Sequence, residues 1–288
     1  MTEQSISNRL TVVIPTIGRD CLRDSVKAIA NGSMLPAQLV IAHQGPIGAL
    51  DKMLQEFAQL GLNVRYIHSD KTGPGPCRND GISCVATDFF ATTDDDCLAD
   101  SEWIKEVTTA LTQHPRAIVT GRVLASEPGA PSVATSQQAR VFTSAPLQGN
   151  HFCGGNFGVA LAIFNDVGPF DESELVRFCE DPEWAYRALA KGYRIHYLPQ
   201  ITVTHLHWRD NKNMEMVYRN YARSQGGWFG RRLRQGDMSF LVRLAYELMR
   251  GAKRWFVGSL NGDYLRKVNG RAYVVDLLRG LGAGFNRQ

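Results

Sequence analysis

Three consecutive aspartates, Asp94, Asp95 and Asp96, follow the stretch Asp88-Phe89-Phe90-Ala91-Thr92-Thr93. Three like charges at the end of a buried strand repel one another and lose hydration. A divalent cation relieves both costs, and hard carboxylate oxygens suit Mg²⁺ or Mn²⁺, whose shells are commonly completed by substrate phosphates. The plainer use of the triplet is an acidic turn ahead of a helix capped by Asp100 or Ser101. A second acidic element is Glu180-Asp181. Asp before Pro182 is what capping alone selects, and Glu180 adds charge that a helix start favours. A third element, Thr204-His205-Leu206-His207-Trp208, closes a strand; alternation puts His205 and His207 on one side, as polar edge residues or as imidazoles finishing a carboxylate-held metal. The fourth is Cys77-Arg78-Asn79-Asp80-Gly81, in which Arg78 has the side chain best suited to forked contacts with phosphate.

The elements that must position these residues follow from periodicity. Leu10–Ile14 is a short β-branched run closed by Pro15 and reads as a buried parallel strand. Helices are expected over 19–31, 47–59, 101–113 and 181–191, the last capped by Asp181 and closed at Gly192. A further helix over about 77–86 follows a loop, Gly73-Pro74-Gly75-Pro76. Strands are expected over 38–42, 63–67, 88–93, 117–124, 193–198 and 201–204. Strands alternating with helices imply βαβ units and a mainly parallel sheet. Ligands in such sheets sit at the carboxyl ends of strands, where Pro15, His43, residues 66–69 and the three aspartates fall. Residues 125–150 read as a long surface loop, mobile over the site.

The chain has 288 residues, 44% hydrophobic and 21% charged, which suits one large domain or a domain with an appendage. No apolar run is long enough to span a membrane, and Met1 to Arg9 lacks the core of a signal peptide. Six scattered cysteines without CxxC pairing point to reduced thiols, hence a cytoplasmic setting. The net charge of +4 hides an asymmetry: residues 207–288 carry 16 Lys and Arg against 6 Asp and Glu, while the preceding residues carry 16 against 22. A basic tail on an acidic body anticipates an anionic partner, either membrane surface or nucleic acid. We divide the chain into a catalytic domain, 1–209, and a basic helical extension, 210–288.

The ordered set of motifs resembles a known family. Val13-Ile14-Pro15-Thr16 is followed by Arg78-Asn79-Asp80-Gly81, Asp94-Asp95-Asp96, Gly154-Gly155-Asn156, Gly168-Pro169-Phe170-Asp171-Glu172, Glu180-Asp181 and His205. This is similar to family 2 glycosyltransferases, inverting enzymes of the glycosyltransferase A type, over roughly residues 10–235. Tyr221-Ala222-Arg223-Ser224-Gln225-Gly226-Gly227 also resembles a stretch that follows the core in many bacterial members. The resemblance implies an α/β fold with a mainly parallel, Rossmann-like sheet, and a sugar passed from a nucleotide-diphosphate donor to a hydroxyl of a glycan or lipid-linked acceptor. It implies Asp96 as ligand of Mg²⁺ or Mn²⁺, Asp94 on the ribose or sharing the metal, and His205, with His207 as alternative, on the metal or diphosphate. Arg78 would hold the nucleotide, with Pro15, Thr16 and Asp95 in the donor-binding set. Gly154, Gly155 and Asn156 would supply backbone close to the sugars, and Asp181 would be the base, with Glu180 beside it. Where the family carries acidic residues after the second strand, this chain has Ile41-Ala42-His43-Gln44-Gly45, and Gln44 is the expected reader of a pyrimidine edge. The implied setting is polysaccharide or glycolipid assembly at the inner face of the cell envelope.

Within the tail, residues 240–256 place Leu241, Leu244, Ala245, Leu248, Ala252, Trp255 and Phe256 on one helical face, opposite Arg243, Arg250 and Arg254. That pattern fits a peripheral helix on an anionic membrane or one packed on the body. It does not suit nucleic acid, because the aromatics do not interleave with the arginines. A nucleotidyltransferase is a rival reading, but Thr16-Ile17-Gly18-Arg19 is a faint version of the phosphate loop it needs. A non-catalytic glycan-binding protein is another, and it would not need both acidic elements.

Overall fold

The computed structural model describes residues 9–127, 134–147, 152–206 and 211–286. By internal contacts the chain divides into two compact units: Met1–Phe170 with Trp184–His207, and Asp171–Glu183 with Trp208–Gln288. The expected boundary at 209/210 lies outside the described residues. The short segment 171–183 was not expected to leave the first unit.

The first unit is built on β1 (Leu10–Thr16), β2 (Gln38–His43), β3 (Val64–His68), β4 (Phe89–Thr93), β5 (Cys97–Ala99), β6 (Ala117–Ala125), β7 (Arg140–Phe142), β8 (Asn156–Ala160) and β9 (Arg194–His205). These form one sheet in the order β3-β2-β1-β4-β8-β6-β9-β5, with β7 also paired to β9. The strands β3, β2, β1 and β4 are parallel, as are β6 and β9. Strand β8 enters antiparallel between β4 and β6, and β5 and β7 run antiparallel to β9. Two strands were expected at 193–198 and 201–204. They are one strand, β9, because its irregularity opposite Thr120 and Arg122 absorbs Pro199-Gln200 without ending the pairing.

The helices of this unit are α1 (Leu22–Ala30), α2 (Asp51–Ala58), α3 (Pro74–Ser83), α4 (Trp103–Gln113) and α5 (Leu161–Val167); α6 (Glu180–Ala190) belongs to it from Trp184 onward. Alternation along β1 sends Leu10, Val12 and Ile14 into a core with Leu22, Phe57, Trp103 and Val107, and Val13 into a second core with Ile82, Phe90, Phe157 and Trp184. A sheet apolar on both faces is what a β-branched run without polar alternation produces. The expected loop Gly73-Pro74-Gly75-Pro76 is mostly the first turn of α3, since proline is tolerated where no intrahelical N–H is needed. Helix α3 approaches β1 so closely that a Cβ on Gly81 would lie 2.5 Å from Val13 Cγ1.

The described part of the expected mobile loop, 125–150, is tied to the sheet. Strand β7 pairs with β9, and Tyr197 Oη donates to the Ala134 and Ser136 carbonyls at 2.9 and 2.6 Å.

The second unit contains α7 (Asn211–Arg234), α8 (Ser239–Leu260) and α9 (Tyr264–Asn286). Helices α7 and α9 touch through backbone: a Cβ on Gly226 would meet the Leu277 carbonyl, and one on Gly280 the Arg223 carbonyl, each at 2.0 Å. Two of the arginines opposite the expected apolar stripe are part of this packing. Arg250 pairs with buried Glu247 at 2.8 Å and lies over the rings of Tyr246 and Tyr273, and Arg254 donates to Asn269 Oδ1 at 2.9 Å. The outward face of α8 instead presents Met238, Val242, Met249, Phe256 and Leu260, each at least 60% exposed. Among the described residues no helix is long and apolar enough to cross a membrane.

Candidate active site

The three aspartates form the turn between β4 and β5, not a turn ahead of a helix. Its backbone is fixed at three points: Cys97 N donates to Asp94 O at 3.1 Å, Ser25 Oγ to Asp95 O at 2.8 Å and Leu206 N to Asp96 O at 2.8 Å. The three side chains then take different partners.

Asp94 pairs with Arg78 Nη2 at 2.9 Å. Both glycines of the later motif close on this pair: a Cβ on Gly154 would lie 3.1 Å from Arg78 Nη1, and one on Gly155 2.5 Å from Asp94 Oδ2. Arg78 is buried, with its guanidinium over Phe170. The neighbours of Arg78 on α3 hold it there. Asn79 exchanges two hydrogen bonds of 2.9 Å with the backbone of Phe170, and Asp80 accepts from Ser69 Oγ at 2.6 Å and faces Lys71 at 3.0 Å.

Asp95 points inward. It is fully buried, accepts Thr16 Oγ1 at 2.5 Å and is forked by Arg19 through Nε and Nη2. Burial pushes its carboxyl above the ordinary range, although Arg19 and Thr16 oppose that. Thr16 and Asp95, both expected to face a donor, therefore bind each other. Pro15, their neighbour in β1, pairs in register with Ala42 of β2.

Asp96 lies between two cationic or basic groups. Its Oδ2 is 3.1 Å from Arg19 Nη1, and its Oδ1 is 3.6 Å from His205 Nε2. His205 ends β9 directly opposite Cys97 of β5. Ligand atoms of Asp96, Cys97 and His205 all lie within 4.8 Å of one another. Carboxylate and imidazole fit Mg²⁺ or Mn²⁺; the thiol does not, and burial holds Cys97 protonated by pushing it far above its ordinary value. Asp94, expected to share the metal, is outside this group because its carboxylate turns to Arg78. His207 lies outside the described residues.

The Gln44 side chain, expected to read a base, is engaged within the fold, and so is the side chain of Asn156, a residue expected to offer its backbone. Gln44 clasps Gly73, with Nε2 donating to its carbonyl and Oε1 accepting its N–H at 3.1 Å, so the amide holds the start of α3. Asn156 is wholly buried: it accepts from Trp103 Nε1 at 2.8 Å and donates to Arg122 O and Ile201 O at 2.9 and 3.1 Å.

Glu180 and Asp181 belong to the second unit. The first bond of α6 runs from Glu183 N to Cys179 O at 3.1 Å, so Cys179 occupies the cap position and Asp181 the second helical position. Asp181 therefore sits past the cap, in a first turn that also holds Glu180 and Glu183 and that favours negative charge. The surrounding segment is held by α7: Arg231 pairs with Asp171 at 2.5 Å, Arg232 with buried Glu183 at 3.3 Å, and Ser224 Oγ accepts Phe178 N at 3.4 Å. A Cβ on Gly227 would lie 2.5 Å from Leu175, so the glycine-rich stretch after Tyr221 is the seat of this segment.

Residues 11–165 match the model of glycosyl transferase family 2. The chain belongs to that family. It is a glycosyltransferase of the A-type fold with a helical C-terminal region. Similar solved structures include S. aureus TarS 1–349 (12% identity, TM-score 0.57, 94% of this chain and 91% of that one) and its complex with UDP-GlcNAc (11%, 0.59, 94% and 91%). A third is the complex of the same protein with UDP (14%, 0.56, 92% and 89%). At these identities the likeness concerns the fold. No curated protein matches the chain.

Arg19, Arg231 and Arg232 were not singled out in the sequence as site residues. Arg19 had two available signals, its place just after the carboxyl end of β1 and its position in Thr16-Ile17-Gly18-Arg19, the faint phosphate loop.

Proposed function

We propose that the glycosyltransferase moves a sugar, with inversion, from a nucleotide-diphosphate donor to a hydroxyl of a glycan or lipid-linked acceptor. The reading is carried by buried Asp96 facing His205 across 3.6 Å at the carboxyl ends of β4 and β9, within a family 2 domain. The ligands named for the TarS complexes, UDP-GlcNAc and UDP, support a nucleotide sugar and make UDP-sugars the first donors to try.

Asp96 and His205 would hold Mg²⁺ or Mn²⁺, which when bound supplies positive charge against a departing diphosphate. Arg78, fixed by Asp94 and Asn79, is the forked donor for nucleotide oxygens. Gly154 and Gly155 leave the Arg78–Asp94 pair room that any side chain would fill. Asp181 takes the proton from the acceptor hydroxyl as its oxygen attacks, and Glu180 stands beside it. A lipid-linked acceptor is supported by the apolar outward stripe of α8 in a helical region of strongly positive charge, features that suit peripheral docking on an anionic membrane.

The test is a panel of UDP-, GDP- and TDP-sugars incubated with Mn²⁺ or Mg²⁺, with release of free nucleoside diphosphate as readout. Release from one or a few donors, abolished by chelator, is expected. Release of pyrophosphate would favour a nucleotidyltransferase. Glycan binding without hydrolysis of any donor would favour a binding protein.

A further inference from the structure

Arg19 stands where a metal-dependent site should least tolerate it. Its guanidinium forks the buried Asp95 carboxylate and extends Nη1 to within 3.1 Å of Asp96 Oδ2. Asp96 is the one carboxylate in the group that converges with His205. Arg19 is not a stray surface cation: its side chain is only 26% exposed, and the turn that carries it is fixed by Gly18 N donating to Thr16 Oγ1 at 2.9 Å. Thr16 in turn donates to Asp95, so the turn after β1 and the turn after β4 form one unit.

We propose that Arg19 is a built-in counter-ion that makes divalent-cation binding at Asp96 conditional on the donor's diphosphate. The inference rests on the metal reading above. Arg19 spreads one positive charge over both oxygens of Asp95 and one oxygen of Asp96. A cation arriving alone meets a fixed like charge within a few ångströms, and only one carboxylate to offset it. The diphosphate brings negative charge that the cation and the guanidinium can share, so cation and nucleotide bind cooperatively. The coupling is reciprocal: the factor by which nucleotide strengthens cation binding is the factor by which cation strengthens nucleotide binding. Arg19 is thus a positioning residue with a second duty. It holds Asp95 away from the cation and sets the order in which ligands arrive.

The experiment measures free Mn²⁺ by electron paramagnetic resonance in titrations of wild type, Arg19→Gln and Arg19→Lys, each with and without UDP. Wild type is expected to bind Mn²⁺ weakly alone and more tightly with UDP. Arg19→Gln should bind Mn²⁺ alone about tenfold more tightly or better, since a close positive charge is gone and Asp95 is released. Its gain from UDP should shrink accordingly. Arg19→Lys keeps the charge and should stay near wild type. If wild type takes up Mn²⁺ with UDP but Arg19→Gln binds Mn²⁺ alone no better than wild type, the counter-ion role is overturned while the metal reading stands. If no protein takes up Mn²⁺ even with UDP, both fall. Should Arg19→Gln not fold, the ¹⁵N resonance of Arg19 Nε in wild type replaces it. That resonance should ignore Mg²⁺ alone and move when Mg²⁺ and UDP are added together; an equal shift with Mg²⁺ alone overturns the proposal.

Discussion

Replacing Asn156 by Ala separates a structural role from a donor-binding one. The side chain joins four elements: Trp103 of α4 donates to it, and it donates to Arg122 of β6 and Ile201 of β9 from its own position in β8. Alanine leaves an indole N–H and two backbone carbonyls without that partner in a site with no solvent access. An orphaned buried donor costs about 1–3 kcal/mol, and a carbonyl with a second lone pair costs toward the low end of that range. With a small cavity added, the sum is about 3–5 kcal/mol. For a unit of this size that corresponds to a fall in melting temperature of about 10 °C. The assay is thermal unfolding followed by far-UV circular dichroism, with UDP affinity measured well below the transition. Asn156→Asp should be at least as damaging, because it keeps the acceptor for Trp103 but turns a carboxylate oxygen toward two carbonyls. An Asn156→Ala protein that melts within about 2 °C of wild type yet loses UDP binding would refute this assignment.

Three further outcomes follow from the same geometry. Asp181→Asn should melt within a few degrees of wild type, since only a helix-start charge worth about 0.3–1 kcal/mol is lost, while kcat falls by about 10²–10⁴; turnover near wild type would leave Asp181 no chemical role. Asp171→Asn should destabilise the second unit by about 1–2 kcal/mol at neutral pH. Burial pushes the Asp171 carboxyl up, but Ser173 and Arg231 outweigh it and hold it below its ordinary value of 3.8. The difference from wild type should therefore persist at neutral pH and close as the pH falls below 3.8 through the depressed native value, and a gap that widens in acid would contradict it. Finally, the protein should sediment with phosphatidylglycerol vesicles at low salt, and Met249→Glu/Phe256→Glu should not; wild type that stays in the supernatant would rule out the α8 surface.

The strand and helix sequence was legible wherever side-chain periodicity alone decides it. Leu10–Ile14 announces a strand buried on both faces, and the ends of β1 and β4 converge where a parallel sheet requires. Short elements were not legible. Strand β5 has three residues and β7 has three, and both exist because the edge of β9 not taken by β6 offers two stretches to pair with. The start of α3 was hidden because Pro-Gly-Pro reads as a loop, although a first turn needs no N–H donors. At the site, Arg78 and the aspartates were visible as types and spacings, but their partners were not. Gln44 was expected to read a base, because a polar residue beside a glycine carries no sign of whether it faces a ligand or the next loop, and nothing in the sequence marked the Asn156 side chain as the partner of a buried indole. The same limit hid Arg19, whose neighbours in sequence are an exposed isoleucine and a polar turn, while its partners lie more than 70 residues away. The arginines of α8 lie opposite its apolar stripe, but Gly251 and Gly270 let α9 come close, so that Tyr273 meets the guanidinium of Arg250 and Asn269 that of Arg254.

The most direct test of the account is calorimetric titration of UDP into wild type and Asp96→Ala with Mn²⁺, and into wild type with chelator. Binding by wild type in Mn²⁺, lost both on chelation and in the variant, is the predicted result. Equal UDP affinity in all three would contradict a nucleotide-sugar site organised around Asp96.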